Sequence, residues 1–237
     1  QMLRLGECDF AISGGVSESI HTFGIFAGFA SQGALATHED PTRASRPFDR
    51  DRDGFVLGEG GTVFLMERAR SARRRGARAY GELLGCGLTS DAFHPVIPAA
   101  EPVQAAAAVR AALADARIDP ADVDYVNAHG TGTPVGDVAE TKALRDVFGE
   151  RIMQVPVSST KSMTGHLLTA AAAFEALACL ATFERSAIPP TINLDNPDPE
   201  CDLRHVAHQA WEQPVRIAIS NSFGFGGSNS CAVFRAV

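Results

Sequence analysis

No two of the five cysteines, Cys8, Cys86, Cys179, Cys201 and Cys231, stand at CxxC or CxxxC spacing, so no metal-ligand set and no dithiol redox motif can be read from them. Their odd number and scatter argue against a disulfide framework. They fit reduced thiols used as small core residues, which points to a reducing, cytoplasmic compartment. Positive charge is in short supply: 21 Lys and Arg stand against 28 Asp and Glu, a formal charge of −7. That argues against nucleic-acid binding through bulk charge and leaves room only for a local basic patch. The longest apolar stretch, 167–183, is Ala-rich and broken by Thr169 and Glu175, so it reads as a buried core helix and not as a membrane span. No secretory leader pattern is visible. The glycines form neither GxxxxGK nor GxGxxG, which removes a phosphate cradle. The absence of GxSxG removes the serine elbow of an α/β hydrolase.

What is present is an average globular composition, 45% hydrophobic and 21% charged over 237 residues, enough for one large or two small domains. Apolar runs expected as strands, at 8–12, 62–66, 79–88, 123–126, 155–157, 215–219 and 231–234, alternate with helical patterns at 67–75, 101–117, 138–148 and 167–183. Phe23, Phe26 and Phe29 also recur at helical spacing. The class is therefore α/β, with at least one mainly parallel sheet covered by helices. The first five residues read as the end of a helix closed by Gly6. On this reading the start of that helix lies outside the chain. The two parts that meet near residue 90 have comparable patterns, which sets expected units of 1–90 and 91–237.

Strand carboxyl ends line the ligand crevice of α/β proteins, and three polar clusters follow expected strands. They are NAHGTGTPVGD (127–137), SSTKSMTGH (158–166) and NSFGFGGSN (221–229). His129 and His166 each follow a strand and a loop, so two imidazoles converging on one carbonyl oxygen would stabilise an enolate as preorganised donors do. Backbone N–H groups of a tight turn at Gly224, Gly226 and Gly227, flanked by Phe223 and Phe225, suit a thioester carbonyl with an apolar tail.

These motifs, with ASRPFDRDRDGFVLGEG (44–60) and PPTINLDNPDPECDL (189–203), strongly resemble the elongating β-ketoacyl-acyl-carrier-protein synthases, in order along the whole chain. The resemblance implies the thiolase-like fold: two related α/β halves, the second complete here and the first partial, in a chain that dimerises. It also implies decarboxylative Claisen condensation of an acyl thioester with malonyl-carrier protein, in fatty acid or polyketide synthesis. No cofactor is implied beyond the phosphopantetheine arm that arrives with the acyl carrier protein, and no metal. Matched by motif, His129 and His166 correspond to the enolate-stabilising pair and Lys161 to the lysine of the same site, with Glu140 as its expected partner in a buried ion pair. Thr131 and Thr133 correspond to hydroxyls that bond the pantetheine arm. Phe225 corresponds to a gating phenylalanine whose backbone N–H completes an oxyanion hole, and Asp91 and His94 to an opposing loop.

The resemblance further implies a cysteine nucleophile at a helix N-terminus, and none of the five cysteines stands in that context. The nucleophile is expected before Gln1. Thr169 and Ala172 replace the small glycines that follow the second histidine in the family. Gly132, where fatty-acid enzymes often have serine, leans toward a polyketide-type member. The arginines at 68, 70, 73, 74 and 75, and those at 43, 46, 50 and 52, read either as a surface steering an acidic carrier or as a solvated face and internal ion pairs. The alternative to a condensing enzyme is a non-catalytic partner resembling a chain-length factor, one half of a ketosynthase heterodimer. Retention of His129, His166 and Lys161 argues against it.

Overall fold

The computed structural model describes residues 1–18 and 21–237. Its elements in chain order are α1 (Met2–Leu5), β1 (Phe10–Ser17), α2 (Phe23–Ser31), β2 (Gly60–Glu67), α3 (Ala69–Arg74), β3 (Glu82–Ser90), α4 (Val103–Ala116), β4 (Tyr125–Asn127) and α5 (Pro134–Phe148). They continue as β5 (Val157–Ser158), α6 (Lys161–Thr164), α7 (Ala171–Arg185), β6 (Ala187–Ile188), β7 (Trp211–Glu212), β8 (Ile217–Gly224) and β9 (Ser228–Arg235). Gly6 closes α1 in the left-handed conformation at φ 78°, as its position predicts.

A five-stranded sheet in the order β3-β9-β8-β4-β5 carries the larger part. Alternation along its strands sends Val126, Ile219 and Val233 into a core with α4 and α5. The neighbouring Tyr125, Ala218 and Phe234 go to the opposite face, under α7. The expectation of a mainly parallel sheet is corrected: β4 runs parallel to β5 and β8, but β8–β9 and β3–β9 are antiparallel. The reason is local, because the turn at 225–227 joins β8 to β9 and so short a connection fits only antiparallel neighbours. Helix α4 lies so close on β3 that a Cβ at Gly87 would meet the Ala108 carbonyl oxygen at 2.0 Å. β3 pairs with β9 along its length, so residues 82–90 form the edge of the five-stranded sheet.

β1 and β2 form a separate antiparallel ladder. An apolar run such as 8–12 suggests a buried strand, and here the structure differs. Phe10, Ile12 and Val16 share one face with Val63 and Leu65 across the ladder, and that face is open, Ile12 being 79% exposed. Only its Phe10 end meets another group among the described residues, the Arg75 guanidinium 5.9 Å from the ring centroid, while Ile12, Val16, Val63 and Leu65 stay exposed. The opposite face is closed by the turn before α7, where Ala170 Cα would stand 2.9 Å from a Cβ on Gly15. That turn is a further difference: 168–170 is a 3-10 segment with Leu168 at φ 48°, and the α-helix begins only at Ala171. No helix among the described residues is long and apolar enough to cross a membrane.

Candidate active site

The chain leaves β4 at Asn127 and turns through 128–133 into α5, whose first two turns carry Asp137 and Glu140 three residues apart on one face. Both carboxylates fold back onto the turn. Glu140 accepts the backbone N–H of His129 at 2.9 Å and of Gly130 at 2.7 Å, and also the Asn221 amide at 3.0 Å. Asp137 accepts Gly132 N–H at 3.1 Å and Phe48 N–H at 2.8 Å, which joins the 44–54 loop to the same turn. Burial raises both carboxyls, Asp137 to about 6 against the pull of its backbone donors and Arg52. Arg52 is itself buried and donates to the Asp49 carbonyl at 2.8 Å, the Pro134 carbonyl at 2.9 Å and Asp198 at 2.6 Å.

His166 reaches the turn from the other side. Its backbone bonds Val56 and Gly58 of the 44–60 segment. The imidazoles of His129 and His166 meet edge to face with centroids 5.5 Å apart. Burial, with the Lys161 charge behind it, drives His129 well below the usual histidine value and His166 to about 3, so both rings are neutral. Their tautomers follow from their partners. His166 Nδ1 accepts the Leu168 N–H at 3.3 Å, and His129 Nδ1 faces the Lys161 ammonium at 3.4 Å. Each ring therefore keeps its proton on Nε2.

Lys161 is where the sequence reading is corrected. Its ammonium bonds Glu175 of α7 and donates to the His129 carbonyl at 2.6 Å, while Glu140, the expected partner, is occupied with backbone donors. Glu140 is held by three donors, the His129 and Gly130 N–H groups and the Asn221 amide, and the lysine pairs with a residue from a different element. Glu175 also accepts from Ser222 at 3.1 Å, and burial pushes its carboxyl up against the pull of Lys161. The signal for Glu175 was visible as the one acid inside the apolar run 167–183.

Phe223 packs on His129 with centroids 5.6 Å apart and Phe55 on His166 at 5.3 Å. Phe29 bridges Phe55 to Phe225 at 5.2 and 5.6 Å. Phe225, 51% exposed, thus connects to the histidines through two rings and does not pack on either. Its turn is fixed by the loop opposite: Gly226 N–H donates to Pro95, Gly227 carbonyl accepts from Asp91, and Asp91 accepts the Asn229 amide at 2.6 Å. His94 Nδ1 accepts the N–H groups of Val96 and Ile97. Thr131 and Thr133 hydroxyls lie 3.1 Å apart beside the turn, and Gly224 ends β8. Sequence reasoning missed Asp137, Arg52, Phe29 and Phe55, whose contacts join segments far apart in the chain.

An α/β scaffold with histidines gathered at strand ends in this way is of the thiolase-like class, and solved structures of that class cover the chain completely. A type II PKS acyl-carrier protein complex with its ketosynthase bound to the hexaketide matches with TM-score 0.96 and 36% identity over 58% of that chain. A β-ketoacyl synthase from Burkholderia phymatum matches with TM-score 0.93 and 38% identity over 57% of that chain. The chain belongs to the β-ketoacyl synthase family: residues 1–72 match its family model "Beta-ketoacyl synthase, N-terminal domain" and residues 80–195 match "Beta-ketoacyl synthase, C-terminal domain". It is 46% identical, over 99% of its own length, to 3-oxoacyl-[acyl-carrier-protein] synthase 2 of Synechocystis sp. and of Staphylococcus aureus. It spans 56% and 58% of the length of those relatives.

Proposed function

We propose that these residues form the enolate-generating part of a β-ketoacyl synthase that condenses an acyl thioester with a malonyl thioester. The observation that carries this reading is the pair of neutral imidazoles, each with Nδ1 engaged and an Nε2–H left to donate. A malonyl thioester carbonyl oxygen accepts from both. As the bond to the carboxylate carbon breaks, carbon dioxide leaves and the electron pair enters an enolate whose charge rests on that oxygen. The α-carbon then attacks the acyl thioester carbonyl and expels its thiolate. Preorganised donors in a site shut off from water favour this charge because they need no reorganisation.

No cysteine of this chain is set to hold the acyl group. Cys179, Cys201 and Cys231 are buried, and burial raises each, Cys201 to about 12; Cys86 lies at the surface of β3, but partial desolvation of its thiol and the charge of Asp115 raise it too. Cys8 stands ahead of β1, away from any helix N-terminus. The nucleophile is assigned outside these residues. On this reading the chain comprises the rest of an N-terminal half and a C-terminal half that begins near residue 80. Thr131, Thr133 and the turn at 223–227 receive a phosphopantetheine arm brought by an acyl carrier protein, and no other cofactor is required. Five unpaired cysteines suit the cytoplasm. Assembly as a homodimer or as a ketosynthase heterodimer fits the same reading. A chain-length-factor-like partner would have no use for the histidine pair.

The test is carbon dioxide release from malonyl-carrier protein by the natural full-length polypeptide. His129→Ala and His166→Ala are each expected to lower it about 100- to 1,000-fold while carrier binding is retained. Near-normal release in either variant refutes the assignment.

A further inference from the structure

The turn that carries His129 is backed by a ring stack the proposed reaction does not use. Phe48 sits in the core with its ring edge against Gly130, where an added Cβ would meet ring carbons at 3.0 Å. Its backbone is left-handed, φ 66°, which an L-aromatic residue adopts only when its surroundings impose it. The imposing contacts are Phe48 N–H to Asp137, the Phe48 carbonyl accepting from Asp198 N–H at 2.9 Å, and, on the ring, His205 at a centroid distance of 5.0 Å and 37°.

His205 is itself fixed. Its Nε2 donates to the Cys201 carbonyl at 2.7 Å, since a carbonyl only accepts, and its Nδ1 is buried without a partner. Val157 of β5 bonds the backbone on both sides of it, to Arg204 and Val206. A ring so held is a rigid wall behind Phe48, and Phe48 is a rigid wall behind Gly130.

We propose that His205 is a positioning residue for His129, acting through its ring face on Phe48, which in turn sets the place of the Gly130 turn. Burial holds the imidazole below the usual histidine value, against the Cys201 carbonyl and Asp202, and so keeps it neutral. The inference rests on the proposed role of His129 only for its kinetic consequence.

Two variants of the full-length polypeptide separate the ring from its hydrogen bond. His205→Phe keeps the ring and loses the bond to Cys201, and His205→Gln keeps a donor and loses the ring. Histidine-selective NMR reads the His129 ring directly, and malonyl-thioester decarboxylation reads its use. His205→Phe is expected to leave the His129 resonances and kcat near those of the unsubstituted protein. His205→Gln is expected to shift those resonances and lower kcat about tenfold with KM little changed, the signature of a misplaced group. The proposal is overturned if His205→Gln leaves the His129 resonances unchanged, or if His205→Phe perturbs them as much. Should the unsubstituted protein release no carbon dioxide, the proposed function fails, while the NMR comparison still decides the positioning role.

Discussion

Lys161 and Glu175 are each almost wholly shielded, at 3% and 2% side-chain exposure, and a charge so placed is tolerable only with its partner. Removing one partner strands the other, whereas removing both in favour of apolar groups of similar volume costs little. Glu175→Ala is expected to destabilise the protein by about 3–5 kcal/mol, measured by denaturant unfolding. The double variant K161M/E175L should recover most of that loss. It should not recover decarboxylation, because His129 then loses the donor on Nδ1 that holds its tautomer. Equal activity in the double variant and the unsubstituted protein would show that the pair is structural alone.

Among the elements, the short turn ahead of α7 connects the ladder to His166. Thr169 donates from Oγ1 to the Val16 carbonyl at 3.0 Å, and Gly15 allows the turn's backbone to lie against β1. The Thr169 hydroxyl is therefore a tie between the two parts of the chain. Thr169→Val keeps the shape and removes the donor, and should cost about 1 kcal/mol of stability, as a net hydrogen bond does. Thr169→Ser should restore it, and both are read as shifts in the denaturant midpoint. The arginine-rich helix resolves in a similar way. Arg68, Arg73 and Arg75 pair with Asp9, Glu82 and Glu67, and Arg52 is internal, so most of that charge is committed within the molecule.

For the whole molecule, the half-buried neutral histidines make acid a selective stress. A histidine whose folded value lies below its unfolded value contributes stability that is complete above the unfolded value and drains as pH falls toward the folded one. For His166 that window runs from 6.5 down to about 3. Asp137, with a raised folded value of about 6, acts in the opposite sense, since in the folded state it takes up its proton first. The net curve mixes the two, so the informative measurement is a difference. The stability of His166→Gln relative to the unsubstituted protein should rise steadily as pH is lowered through that window. A pH-independent difference would mean that His166 is not held neutral by the fold.

The α/β class, the left-handed cap at Gly6, the polar clusters that follow β4 and β5 and the meeting of His129 with His166 were all legible in the sequence, whereas 221–224 proved to be part of β8. Periodicity, glycine and the order of motifs are local properties, and they survive folding unchanged. Three features were not legible. The mixed direction of the sheet depends on which strands become neighbours. The open face of β1 depends on what covers it, and apolar composition alone cannot report that. The partner of Lys161 depends on competition: Glu140 and Glu175 are both buried acids near it, and the three-dimensional placement of the N–H groups that hold Glu140 leaves Glu175 to the lysine. Sequence fixes which groups exist and which are close along the chain. Tertiary structure alone decides which donor reaches an acceptor first, because that contest is settled by distance and burial among residues far apart in sequence.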